Sequence, residues 1–78
     1  MKLLIRNLSR KTTQAELKAI FEEIGVIDYC TLVLDKETGK SKGFAFVEMP
    51  NEIEAITAIS TLDASRLKKN KIRVKAAD

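Results

Sequence analysis

Short runs rich in apolar, β-branched or aromatic side chains recur in four stretches of the chain, and apolar positions recur with a helical period in two others. Residues 2 to 7 (KLLIRN), about 27 to 34 (IDYCTLVL), 44 to 49 (FAFVEM) and 71 to 76 (KIRVKA) read as β-strands, in which successive side chains point to opposite faces. Thr13 to Glu23 reads as a helix. Thr13 and Glu16 form a capping box, Leu17, Ile20, Phe21 and Ile24 make an apolar stripe, and Gly25 ends the segment. A second helix starts after Pro50 with Asn51 as its cap and Glu54 reaching back to it. Its stripe is Ala55, Ala58, Ile59 and Leu62. The segment 35 to 42 (DKETGKSK) is a polar connection between the two middle strands.

The order β-α-β-β-α-β predicts an α+β fold, the ferredoxin-like or split-βαβ sandwich. Residues 1 to 78 are expected to form a single domain, with a four-stranded antiparallel sheet in the order 4-1-3-2. Right-handed crossovers put both helices on one face. The other face is left bare, and function is sought there.

Charge decides which residues occupy that bare face. In the third strand the even positions are Lys42, Phe44, Phe46 and Glu48, and the odd ones are Gly43, Ala45, Val47 and Met49. Burying the even row would bury two charges, at several kcal/mol or more unless paired. The aromatic rings of Phe44 and Phe46 therefore face water. By the same test Lys2, Leu4 and Arg6 point outward in the first strand, and Lys71, Arg73 and Lys75 in the last, with Ile72, Val74 and Ala76 inward. In the second strand Cys30, Leu32 and Leu34 are assigned inward, and Tyr29, Thr31 and Val33 outward. An apolar patch of this kind is rarely left exposed without a use. Rings among cations suit a flat anionic partner whose bases stack and whose phosphates meet Lys and Arg.

Composition narrows the chemistry. At 78 residues, 45% hydrophobic and 32% charged, the chain is neither disordered nor membrane-spanning in character. Its opening, MKLLIRNLSRK, breaks its apolar run too early for a signal peptide, so a soluble intracellular protein is expected. Cys30 is the sole cysteine and histidine is absent, which removes a disulfide, a zinc set and a Ser-His triad. Arg6 and Asn7, placed inside a strand, cannot form an acylphosphatase-like anion cradle. No catalytic residue, metal or cofactor is expected. The net charge of +3 conceals a polarity: the two helical segments carry −5 between them, which leaves +8 on strands and loops. Acidic helices behind a basic sheet are the footprint of a nucleic-acid surface.

With these residues in view the chain resembles the RNA recognition motif family. KGFAFVEM (42 to 49) fits seven of the eight positions of the family octamer, and LLIRNL (3 to 8) is similar to its hexamer. Leu17, Phe21 and Gly25, ETGKSKGF across the hairpin and IRVKAA near the end extend the likeness. The resemblance implies that Phe46 stacks on a base, Phe44 inserts against two sugars and Lys42 meets a phosphate. It further implies that Arg6, Arg73 and Lys75 line the groove edges, and that backbone groups around 76 to 78 read base edges. Lys40 stands between a solvated loop residue and a phosphate clamp. Two departures stand out. Met49 replaces the octamer's last aromatic, at a core parity where methionine fills space. Leu4 replaces the hexamer's aromatic, which removes a stack worth roughly 1–3 kcal/mol, with Tyr29 the candidate to compensate.

What the resemblance implies is a monomeric, non-catalytic binder of single-stranded RNA, tolerant of single-stranded DNA. Affinity should be weak and the footprint about two to four nucleotides. Such a protein resembles small bacterial cytoplasmic ones that act as RNA chaperones. A protein-binding module that has lost most RNA affinity is the alternative.

Overall fold

The computed structural model describes residues 1–77. Strand β1 (Lys2–Arg6) leads into helix α1 (Gln14–Glu22), strands β2 (Tyr29–Leu34) and β3 (Ser41–Glu48) pair as a hairpin, and helix α2 (Glu52–Leu62) follows. Two short strands, β4 (Arg66–Leu67) and β5 (Asn70–Lys71), precede β6 (Arg73–Ala76). The main sheet is antiparallel in the order β2-β3-β1-β6. With β6 as its fourth strand, this is the expected 4-1-3-2 order read from the other edge. The fold is the ferredoxin-like βαββαβ sandwich.

Alternation in the strands sets the core. Leu3, Ile5, Ala45, Val47 and Val74 are buried together with Leu17 and Phe21 of α1 and Ala55 and Ala58 of α2. One sheet face therefore carries both helices, and Met49 joins this core with no exposed surface. Helix α1 opens on the anticipated capping box. The Thr13 hydroxyl accepts the Glu16 N–H at 3.1 Å, and Glu16 Oε1 accepts the Thr13 N–H at 3.3 Å. Two of the orphan donors of a helix start are thereby satisfied.

Helix α2 corrects one expectation. Asn51 caps it by accepting the Glu54 N–H at 3.0 Å, but the Glu54 carboxylate does not return to Asn51. It accepts the Val26 N–H instead, at 3.0 Å. Gly25 makes this possible, because a side chain there would collide with Glu54.

The strand limits also shift. β3 starts at Ser41, three residues before the expected Phe44, and the polar connection contracts to 35–40. A tight turn accounts for this: Asp35 Oδ1 accepts the Glu37 and Thr38 N–H groups, and Lys40 C=O accepts the Asp35 N–H at 2.7 Å. Those backbone donors hold the Asp35 carboxyl below the ordinary carboxylate range. Register shifts between Leu32↔Ala45 and Leu34↔Ser41, an irregularity that includes Gly43 at φ 86°. Leu34, expected inward, is consequently 50% exposed. Ala76, also expected inward, is exposed at the end of edge strand β6.

The expected last strand is in fact two. Residues 70–71 pair with 66–67 in a separate hairpin, and only residues 73–76 join the main sheet. Ile72 separates them, buried and pinned by bonds from its N–H to Ser65 C=O and from the Ala64 N–H to its C=O. The two residues between β4 and β5, Lys68 and Lys69, have φ of 49° and 72°. Both central positions of such a turn favour Asn or Gly. Lys69→Gly is therefore expected to raise stability by about 1 kcal/mol, less the unfolded-state entropy that glycine adds. Urea denaturation tests this; a midpoint that stays or falls contradicts it.

Candidate nucleic-acid interface

The uncovered sheet face is organised in rows that run across the strands. Thr31, Phe46, Leu4 and Lys75 share one row, through the pairings Thr31↔Phe46, Leu4↔Phe46 and Leu4↔Lys75. Tyr29, Glu48 and Lys2 share the next row toward one end. Arg6 and Arg73 face each other toward the opposite end. The parity assigned from charge thus holds in the central strands. Phe44 and Phe46 are half-buried on the helix-free face, while Ala45 and Val47 beneath them have no exposure.

The two rings meet edge to face, with centroids 6.2 Å apart and planes at 87°. That is a favoured aromatic geometry, set by the ring quadrupoles. Beside them an open groove of about 410 Å³ is lined by Leu4, Arg6, Asn7, Gly43, Phe44 and Phe46. Leucine at position 4 supplies an apolar wall with no second ring. Lys2 places its ammonium 4.8 Å from the Phe46 centroid, a cation–π contact. A base stacking on that side of the ring must displace the ammonium or sit beside it.

Arg6 also borders a second depression of about 250 Å³, with Asp63, Arg73, Val74 and Lys75. Facing arginines repel across a strand pair. Asp63 offsets this: its Oδ1 lies 3.0 Å from Arg73 Nε and accepts the Val74 N–H at 2.9 Å. The Val74 N–H, and then Arg73, hold the Asp63 carboxyl below its usual range. Arg73 is therefore engaged by an acid, which the sequence pattern left unanticipated. Arg6 and Lys75 are exposed at the groove margins, and Lys40 and Lys42 are exposed at the start of β3. Tyr29 is 41% exposed on β2, but it sits opposite Glu48 and does not line the groove. Residue 78, part of the expected 76 to 78 backbone reader, lies outside the described residues. The Ala77 N–H donates to Lys2 C=O at 2.8 Å and is used within the sheet.

Three residues in or beside this face were not among the expected site residues. Lys2 had the outward parity of Leu4 and Arg6, and its diagonal position to Phe46 follows from the register Lys2↔Glu48. Asn7 is not inside a strand, as expected, but just past β1 in a left-handed conformation (φ 61°). Arg10 donates from Nη1 to Ser41 C=O at 3.1 Å and fills the space that Gly43 leaves open. No local pattern announces either placement. Cys30 is buried, and burial pushes its thiol up. Among the described residues no helix is long and apolar enough to cross a membrane.

Comparison with known proteins agrees with this geometry. The family pattern described as RNA recognition motif matches residues 3–73. A candidate RNA-binding protein of Nostoc sp., RbpD, is 39% identical over 77 residues, spanning 99% of this chain and 82% of its own length. A second Nostoc candidate, RbpA, is also 39% identical, over 99% of this chain and 76% of its own. Among solved structures, the RNA-binding protein PG1 superposes with a TM-score of 0.95 at 32% identity, over 100% of this chain and 95% of that one. RNA recognition domains 1 and 2 of Sex-lethal from Drosophila melanogaster give 0.94 at 32% identity, this chain spanning 99% of itself and about half (49%) of that one. Sex-lethal solved in complex with RNA matches equally well, with a TM-score of 0.94 at 32% identity, over 99% of this chain and 46% of that one. By the rings on the uncovered sheet face, the sandwich that carries them and these likenesses, the chain belongs to the RNA recognition motif family.

Proposed function

We propose that this chain is a non-catalytic module that binds single-stranded RNA on its uncovered sheet face. The observation that carries the reading is the pair Phe44 and Phe46, packed edge to face beside an open groove that Arg6 borders. Phe46 stacks on a base and Phe44 meets the sugars. Lys42, Arg6 and Lys75 meet phosphates or base edges, Lys40 adds a phosphate contact from the turn, and Leu4 gives apolar contact. Arg73 contributes only as far as Asp63 releases it. Tyr29 extends the face toward β2. Stacking does not read the 2′-hydroxyl, so single-stranded DNA is tolerated. With one hexamer ring missing, affinity is weak and the footprint about two to four nucleotides. The module then works at high abundance in the cytoplasm as a monomeric RNA chaperone. NMR titration with pools of short RNA tests the reading: resonances of β1 and β3 should move, and an unmoved sheet would overturn it.

Affinity should also fall with salt. With roughly three phosphate contacts and a slope near −0.7 for each, log K is expected to drop by about two per decade of salt. A flat response would remove the basic face from the mechanism.

A second reading, protein binding, has Leu4 and one structural feature in its favour. Val26, Ile53 and Ile56 are 65%, 77% and 52% exposed on the helical side. On that reading Phe46→Ala leaves RNA binding unchanged.

A further inference from the structure

Beyond the groove lies a second concentration of charge that the sheet face does not use. Residues 7–11 (NLSRK) and 66–71 (RLKKNK) hold six of the chain's fourteen Lys and Arg residues and no acid. The fold brings these two like-charged segments together. Asn7 Nδ2 donates to Lys71 C=O at 2.8 Å, and Asn70 Nδ2 donates to Asn7 C=O at 3.0 Å. Lys68 Nζ reaches Lys11 C=O at 3.1 Å and Glu16 Oε1 at 3.0 Å. Glu16 thus answers Lys68, while Lys11, Lys69 and Lys71 are exposed.

Two features mark this dock as more than a solvated loop. All four non-glycine residues with positive φ among the described residues fall in or beside it: Asn7, Ala64, Lys68 and Lys69. Side chains are held in such conformations only where surrounding contacts over-determine them, and such strain gathers at binding sites. Asn7 is also a wall of the aromatic groove. Asn7 thus both lines the groove and anchors the hairpin, so the groove and the charged dock adjoin.

We infer that the β4–β5 hairpin and the β1–α1 loop form one cationic strip, which takes the phosphodiester backbone of RNA as the strand leaves Phe44 past Asn7. This rests on the RNA-binding reading above and extends it. The strip reads no bases. It lengthens the footprint and anchors the strand through Lys11, Lys69 and Lys71. Charges of one sign gathered on a small surface raise the local concentration of a polyanion, and a phosphate chain matches a row of lysines without any demand on sequence.

The test compares oligouridylates of about four and about ten nucleotides, shorter and longer than the sheet can hold. Wild-type protein should bind the longer strand more tightly, and with a steeper salt dependence. Lys11→Gln, Lys69→Gln and Lys71→Gln combined should remove that advantage, cutting affinity for the long strand on the order of tenfold or more and flattening its salt slope by about two. Binding of the short strand should stay as it was, and thermal melting checks that the variant is folded. A variant that keeps the wild-type ratio of long to short affinity overturns the strip but leaves the sheet reading intact, as would capture of an acidic protein there instead. Equal losses for both strands also overturn it, because the lysines then act through net charge alone. Failure of both strands to bind wild-type protein removes the RNA-binding reading, and the strip with it.

Discussion

Phe46→Ala is expected to weaken binding of short RNA by about 5- to 150-fold, which corresponds to the roughly 1–3 kcal/mol of one base–aromatic stack. The ring stands at the middle of the open face, with Thr31 on one side and Leu4 on the other. Its loss also takes away the ring that Phe44 packs against and that lies beneath the Lys2 ammonium. Phe44 is then less firmly held, so the effect should lie above the bottom of that range. The core is not involved. Ala45 and Val47 carry the packing of β3 against the helices and are fully buried, so the variant should fold and melt cooperatively. Fluorescence titration with a labelled short RNA measures the affinity, and a melting curve separates lost binding from lost structure. Unchanged RNA affinity in a folded variant would favour the protein-binding reading.

The face on which these rings lie could be read from the chain because charge and period spoke together. A strand that places Lys42 and Glu48 on the same side as two phenylalanines has one tolerable orientation, with the small uncharged row turned toward the helices. The capping box at Thr13 and Glu16 was legible for a similar reason: both partners lie within one turn. Less was legible where a decision depends on residues far apart in sequence. Nothing near Asp63 shows that its carboxylate will meet Arg73 and Val74, and nothing near Glu54 shows that Val26 will draw it away from Asn51. The β4–β5 hairpin was hidden by its own turn. Lys68 and Lys69 stand where the usual signal is Asn-Gly, so nothing marked a turn there and residues 71 to 76 read as one strand. β2 was ambiguous for want of charge, and the register shift near Gly43 then turned Leu34 out to solvent.

The same hairpin sets stability against function. Lys69→Gly relieves a left-handed lysine yet removes a cation from the strip proposed above. The variant should therefore be more stable while holding long RNA less tightly. On that proposal the lysine exchanges stability for charge at the tip of the hairpin.

Leu4→Phe should act in the opposite direction to Phe46→Ala and tighten RNA binding by up to the same 5- to 150-fold, about 1–3 kcal/mol. Position 4 is a half-buried place on the open face, between Phe46 and Lys75, and it already walls the groove. A ring there points the way the leucine does, away from the fully buried Leu3 and Ile5 that flank it in sequence. No core contact has to move. Phenylalanine suits a strand, and a new aromatic pair with Phe46 across the β1–β3 ladder adds roughly 0.2–1 kcal/mol of its own. The variant should thus be at least as stable as the parent. The gain in affinity arises because the new ring offers a stacking face of its own, whereas the face of Phe46 is shared with the Lys2 ammonium. Leu4→Ala serves as the control: it removes apolar contact but no stack, so its loss should be far smaller than that of Phe46→Ala. Titration of the three variants against one short RNA ranks them, and a folded Leu4→Phe protein that binds no better than wild type would show that no base reaches the column between Phe46 and Lys75.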